Sequence, residues 1–382
     1  MKKNRRIIFF VGFLLTIPIA LTSYINSSLL QSFTNPFQVS AIYVVASILT
    51  IIILSRIPKI LSRIGNLKTA TIISCSTFLS LLALAYGKNV ELIVIAFVVY
   101  FISTHLLIMT LDIFIEDFTK QSSVGKMRGL YLTFINLAWV TAQLISGSII
   151  AKSSFKGIYL LASFFIVLQA LVLVIFFRKW QDPIYKKIAI WKTIKFFIRN
   201  KNIHQIYLIS LILKFFFAWM IIYTPIYLHE YLNFGWDKIG IIFTIMLTPF
   251  VILTFPLGKL SDKIGEKKML YIGFTISAIF TFIIPFITLP KLLLWAFILF
   301  MTRVGAATIE IMSESYFFKQ VTEEHADEVS FFRNTAPMAF IIAPLSAIFI
   351  LALSPSFEYI FFVLSALLLV GLFLSLRLKE FK

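Results

Sequence analysis

Cysteine is nearly absent from this chain. Its one example, Cys75, lies in an apolar run, so no intramolecular disulfide forms and no cysteine cluster holds a metal. Histidine is almost as scarce. His105, His204, His229 and His325 are far apart and make no His-x-x-x-His pair, so no metal site is expected from spacing. The chain has no Gly-x-Ser-x-Gly and no Gly-x-x-x-x-Gly-Lys. Without the first there is no hydrolase nucleophile turn, and without the second no phosphate cradle for a nucleotide-driven pump. Neither an enzyme nor a bound cofactor is expected. Charge is thin as well: 14% of 382 residues are charged and 60% are hydrophobic. A soluble globular protein carries about 25% charged and about 45–50% apolar residues. This composition is that of a polytopic membrane protein.

What the chain does have is long apolar runs. A spanning helix needs about 20 mostly apolar residues. Twelve runs qualify: Ile7–Leu30, Gln38–Leu54, Thr69–Tyr86, Val90–Phe114, Gly129–Ala151, Gly157–Phe177, Ile206–Leu228, Ile239–Leu257, Met269–Leu289, Leu292–Phe317, Phe331–Leu353 and Glu358–Leu376. The basic start Met1-Lys2-Lys3-Asn4-Arg5-Arg6 resembles the head of a signal peptide. The run after it is long enough to span and has no small-x-small cleavage site, so it reads as a retained first helix. Proline occurs inside several runs, as at Pro18, Pro249 and Pro337. Neighbouring helices can satisfy the carbonyls it frees.

The bases set the orientation. Of 35 Lys and Arg, 28 fall in loops on one side and five on the other, with Lys214 and Arg303 inside helices. Cytoplasmic loops carry the excess of Lys and Arg, so both termini are expected inside, in a plasma (inner) membrane. The net charge of +18 is thereby spread over short loops on one face, and no nucleic-acid partner is implied. The longest polar connection, 179–205, separates two six-helix halves, 1–178 and 206–382. Within it Lys192, Lys195 and Arg199 share one helical face and Trp191, Ile194 and Ile198 another. Either an amphipathic helix in the interface or a solvated linker fits.

The halves repeat. A shift of 200 aligns Lys59, Arg63, Gly65 and Lys68 with Lys259, Lys263, Gly265 and Lys268. A shift of 198 aligns His105, Asp112, Glu116 and Asn136 with Arg303, Glu310, Glu314 and Asn334. Several polar matches in order at a nearly constant offset indicate duplication.

The stretch Gly258-Lys259-Leu260-Ser261-Asp262-Lys263-Ile264-Gly265 reads as a tight polar turn between two spans. Its two glycines would supply backbone conformations that a Cβ hinders. With Gly258, Leu260, Asp262 and Gly265 in place, it resembles the loop Gly-x-Leu-x-Asp-x-x-Gly of the major facilitator superfamily. The resemblance implies an all-α fold of twelve transmembrane helices in two six-helix pseudo-repeats. It also implies a cavity lined by helices one, four, seven and ten, and a motif Asp that helps close the cytoplasmic side. On that reading Asp262 pairs with Arg128, and Glu314 or Glu310 completes the cluster. The first half has Pro58 and Ser62 where the second has Gly258 and Asp262, so its latch is expected to be missing. The fifth helix has Gly147 but no Pro, which departs from the proton-coupled drug exporters of the family.

Charges inside a spanning helix cost about 2.5–3.5 kcal/mol on insertion scales and are functional candidates by default. Helix four carries His105, Asp112 and Glu116. Helix ten carries Arg303, Glu310 and Glu314 at the same spacing. Steps of seven and four keep each set on one face. Arg303 is a planar fork suited to a carboxylate or phosphate. His105 is a proton relay or an interior hydrogen-bonder. Lys214, midway along helix seven, either faces the cavity or snorkels to an interface. Arg303, His105 and Lys214 are thus the substrate-binding candidates. Asp112, Glu116, Glu310, Glu314, Asp262 and Arg128 are candidates for proton coupling or gating.

The expected function is secondary active transport of a small solute, an organic anion on this charge pattern, by alternating access in a monomer. A proton is the candidate coupling ion. Two alternatives stay open: an exporter of amphipathic or cationic compounds recognised by Glu310 and Asp112, and a membrane enzyme or lipid scramblase on a similar fold.

Overall fold

The computed structural model of the chain describes residues 2–118, 124–178, 180, 182, 190–320, 331–354 and 356–379, with side chains for all of these except 2–6, 8, 115–118, 124–133, 190–194, 255 and 262. Among the described residues there is no strand. In chain order the helices are α1 (Lys2–Ser23), α2 (Asn26–Gln31), α3 (Pro36–Ile64), α4 (Asn66–Tyr86), α5 (Val90–Phe118), α6 (Val124–Phe177), α7 (Ile190–Arg199), α8 (Lys201–Ile226), α9 (Trp236–Leu247), α10 (Pro249–Ile252), α11 (Thr254–Ile264), α12 (Glu266–Ile283), α13 (Leu292–Phe318), α14 (Thr335–Leu353) and α15 (Tyr359–Leu376). The chain divides into two compact units. Unit 1 is Met1–Lys187 with Gly235–Gly240, and unit 2 is Ile188–Phe234 with Ile241–Lys382.

Ten helical stretches among the described residues are long and apolar enough to cross a membrane. Two local breaks account for the difference from the twelve runs. The stretch Phe134–Phe177 has 44 residues, about 66 Å at 1.5 Å per residue, against a hydrocarbon core of about 30 Å. It is two crossings joined at Ser154, whose backbone leaves the helix at φ 59° and ψ −170°. The eighth run is helical but divided into α9, α10 and α11. Proline fixes its own φ and lacks an amide proton, and Pro249 opens a new helix instead of continuing the old one.

Unit 1 shows how an apolar bundle carries polar groups. A buried donor without a partner is costly where no water can supply one. Thr22 and Tyr100 share a hydroxyl hydrogen bond of 2.6 Å. Tyr159 donates to Asn26 Oδ1 at 2.9 Å, and Gln143 donates to the Ala20 carbonyl at 2.6 Å. All five side chains are buried. At the start of α3, Asn35 accepts from the Gln38 amide, and the Gln38 side chain accepts from the Asn35 amide. This reciprocal cap, with Pro36 at the first helical position, fixes the entry of α3.

The duplicated turns follow Gly65 and Gly265, at φ 82° and 85°. This left-handed region is nearly closed to residues with a Cβ. Each glycine ends one helix and starts the next. The expectation for Gly258 needs correction. It lies inside α11, with nothing within 4 Å of an added Cβ. A helix hairpin needs one reversal, and Gly265 alone provides it. Lys259 to Ile264 continue the helix instead of forming a loop, with Leu260 exposed.

The two turns are held by different chemistry. In unit 1, Asp182 Oδ1 accepts the Asn66 amide at 2.7 Å, and Asn66 Nδ2 donates to the Thr110 carbonyl at 2.9 Å. An acid therefore does serve the first-half turn, although it stands 116 positions away in sequence. In unit 2, Glu266 is buried and pairs with Lys319, while Ser315 donates to Glu266 Oε1 at 3.0 Å. The linker helix α7 buries Phe197, whose ring packs 4.7 Å from Phe331 and 5.4 Å from Tyr207. Ile198, expected on the apolar face, is exposed.

Candidate functional site

Helix α8 is buried over most of its circumference: Leu213, Phe215, Phe216, Ala218, Trp219 and Met220 all lie in the interior. A helix apolar all round belongs in a core. The cation in its middle, Lys214, meets an acid there instead of snorkelling to an interface. Its Nζ donates to Glu310 Oε1 of α13 at 2.5 Å. The two side chains are 25% and 30% exposed. Glu314 stands one turn further along α13, on the same face.

Arg303 lies two turns before Glu310 on α13. It is 1% exposed. Its guanidinium carbon sits 5.1 Å from the Phe216 ring centroid and 5.3 Å from that of Phe217. Lys214 Nζ lies 5.2 Å from the same Phe217 ring, and Phe217 in turn meets Phe250 of α10 at 5.8 Å. One aromatic ring therefore lies near two cations. The ring quadrupole attracts each by about 0.5–2 kcal/mol, more when desolvated.

Beside Arg303, α13 packs tightly on α12. Gly305 packs against α12 so closely that an added Cβ would stand 2.5 Å from the Gly273 carbonyl oxygen and 2.7 Å from the Ser277 amide. Ser277 also donates to the Thr302 carbonyl at 3.2 Å. This clamp beside Arg303 sets the depth and rotation of its helix.

Formally the four residues Lys214, Arg303, Glu310 and Glu314 cancel. Two unit charges 2.5 Å apart attract by about 6–7 kcal/mol at an effective dielectric of about 20. Desolvation costs several kcal/mol per ion. The opposing terms are of similar size.

The remaining sequence candidates are placed as follows. His105 and Asp112 lie on α5 in unit 1. His105 Nδ1 is 2.8 Å from the Phe101 carbonyl oxygen, and its ring lies 4.4 Å from that of Phe101. Asp112 is half-buried. The side chains of Glu116, Arg128 and Asp262 lie outside the described residues, and with them the expected Asp262–Arg128 pair. Glu310, read from the sequence as a partner for that loop, is engaged with Lys214 instead. Sequence reasoning missed Phe216 and Phe217, since two more phenylalanines among 42 carry no mark. It also missed Glu266, although an acid at the position after the turn glycine was a readable sign.

A family model described as Major Facilitator Superfamily matches residues 7–238 and 224–381. The chain belongs to the Major Facilitator Superfamily. Solved structures share the superfamily fold over nearly the full length. A bacterial homologue of the human lysosomal transporter Spinster is 12% identical, with 98% of this chain and 96% of that chain covered and a TM-score of 0.76. A bacterial homologue of the iron transporter ferroportin is 12% identical, with 99% and 98% covered and a TM-score of 0.76. The nucleoside transporter NupG is 9% identical, with 99% and 100% covered and a TM-score of 0.77. At such identity the likeness is one of fold alone. No curated protein matches in sequence. The superfamily chain is a multi-pass membrane protein and a secondary transporter of a small solute.

Proposed function

We propose that this superfamily member moves a small organic anion, coupled to protons through Glu310, as a monomer, and that it performs no covalent chemistry. The reading is carried by one observation: the 2.5 Å contact of Lys214 with Glu310 between α8 and α13, beside the buried Arg303. Protonation of Glu310 removes its charge and frees the Lys214 ammonium. A substrate carboxylate or phosphate then replaces it, with Arg303 as a second and permanent cation. Charge at the site stays balanced in both states, so neither state leaves an unpaired ion in the membrane interior. Alternating access would follow from rocking of the two repeats about the site. Both termini are on the cytoplasmic side in this reading, from the one-sided distribution of Lys and Arg.

An exporter of cations would need an acid to spare, and the arrangement offers less support for it. Glu310 is already matched by Lys214, and the nearest aromatic faces are taken by cations of the protein itself. The test is a thermal-shift screen of detergent-purified protein against small carboxylates, inorganic phosphate, organic cations and neutral solutes. Stabilisation by anions that disappears in Arg303→Ala supports the reading. Stabilisation by cations that is insensitive to Arg303 overturns it.

A further inference from the structure

Outside the ion-pair site, unit 1 carries a groove of about 470 Å³ between α4 and α5. Its walls are large and outward: Ile72, Leu79 and Ile95 are each at least 60% exposed. Its base is small: Ser80 and Ala96 are buried, with Ser76 and Ala83 beside them. The hydroxyls in that base are already used. Ser80 donates to the Thr77 carbonyl at 2.8 Å, and Ser76 accepts from Ser103 at 3.2 Å. The groove therefore presents a largely apolar channel, which suits a hydrocarbon chain.

One end of the groove is charged. Leu79, Ala83 and Tyr86 follow one another at steps of four and three, so they lie on one face of α4. Tyr86 continues the groove wall to the loop 87–89. Lys156 Nζ lies 4.3 Å from the Tyr86 ring centroid, and Lys88 is exposed two residues further on. Glu91, also exposed at the start of α5, is the one acid on α4 or α5 near this end, so a positive excess remains. Tyrosine at headgroup level and lysines beside it are the usual anchors at a membrane interface.

We propose that this groove holds one acyl chain of an acidic phospholipid, with its headgroup on Lys88 and Lys156. A second copy of the chain could also use the small residues for close helix packing. The lysines argue for lipid, since an identical groove would bring the same positive end toward them.

The native cysteine reports occupancy, because Cys75 is exposed and lines the groove. The rate of Cys75 alkylation by N-ethylmaleimide would be measured on the full-length protein in detergent, with added phosphatidylglycerol or phosphatidylcholine. Phosphatidylglycerol should slow the reaction at lower mole fraction than phosphatidylcholine does. That preference should fall about fivefold for each lysine lost in Lys88→Gln or Lys156→Gln, from the usual worth of a basic residue beside acidic lipid. Both lysines are exposed, so these variants fold. Equal protection by the two lipids, or an unchanged preference in the double variant, overturns the proposal. An intermolecular Cys75 disulfide formed under copper–phenanthroline in membranes also overturns it, because a second copy then occupies the groove.

Discussion

Neutralising Glu310 tests the ion pair directly. Glu310→Gln keeps the shape of the side chain and removes its charge. Lys214 then stands as a cation inside an apolar helix face. Breaking a fully buried pair costs about 3–5 kcal/mol. The two side chains here are 25% and 30% exposed, so water retains part of the solvation and about 2 kcal/mol is expected. Lys214→Met should cost about the same, by stranding Glu310. Removing both charges leaves no lone ion, and Lys214→Met/Glu310→Gln should be destabilised by only about 1 kcal/mol, the cost of a part-buried amide without a partner. The coupling energy of the cycle is then about 3 kcal/mol, at the top of the usual range for contacting residues. Denaturant titration of the four proteins in detergent, followed by circular dichroism, gives this number. Additive single effects would mean that the contact carries no energy and that the exchange argument fails.

Other outcomes follow from local geometry. Gly265→Ala should destabilise by about 1–2 kcal/mol, since its φ of 85° is left-handed. Gly258→Ala, in a helix with open space around it, should gain about 0.5–1 kcal/mol; paired thermal melts would show the opposite signs. Asp182→Ala should cost about 1 kcal/mol by uncapping Asn66, and faster amide exchange at the start of α4 would report it. Arg303→Lys keeps the charge but loses the planar fork over Phe216 and Phe217. It should weaken anion-dependent stabilisation by tenfold or so, read as the concentration giving half the maximal thermal shift.

Much of the architecture was legible from periodicity and composition. Runs of about 20 apolar residues locate spans because a bilayer forbids unsatisfied backbone. The break at Ser154 was readable, since one run ends at Ala151 and the next starts at Gly157; the division of the eighth run at Pro249 carries no length signal. At Ser154 the chain turns on one residue at φ 59°, a conformation that serine composition does not announce. The turn glycines were readable as a pair at an offset of 200, but only the backbone separates Gly265, which makes the reversal, from Gly258, which does not. At the site, spacing placed Arg303, Glu310 and Glu314 on one face. It could not assign Glu310 to Lys214, because that pairing depends on how α8 and α13 are rotated within unit 2. The rotation of α13 is set by the Gly273–Gly305 approach, a contact between residues with no side chains to compare. Asp182 was hidden for a similar reason: its partner is a backbone amide.

Proton movement driven by an anion gradient tests the central claim most directly. Proteoliposomes containing a trapped pH dye would be exposed to a gradient of the anion that stabilises the purified protein best. The account predicts acidification of the lumen with wild type. It also predicts loss of that signal in Glu310→Gln, while anion exchange at equal concentrations persists because Lys214 and Arg303 remain. Undiminished proton movement in Glu310→Gln would contradict the account, placing the coupling group elsewhere and leaving the Lys214–Glu310 pair a structural contact.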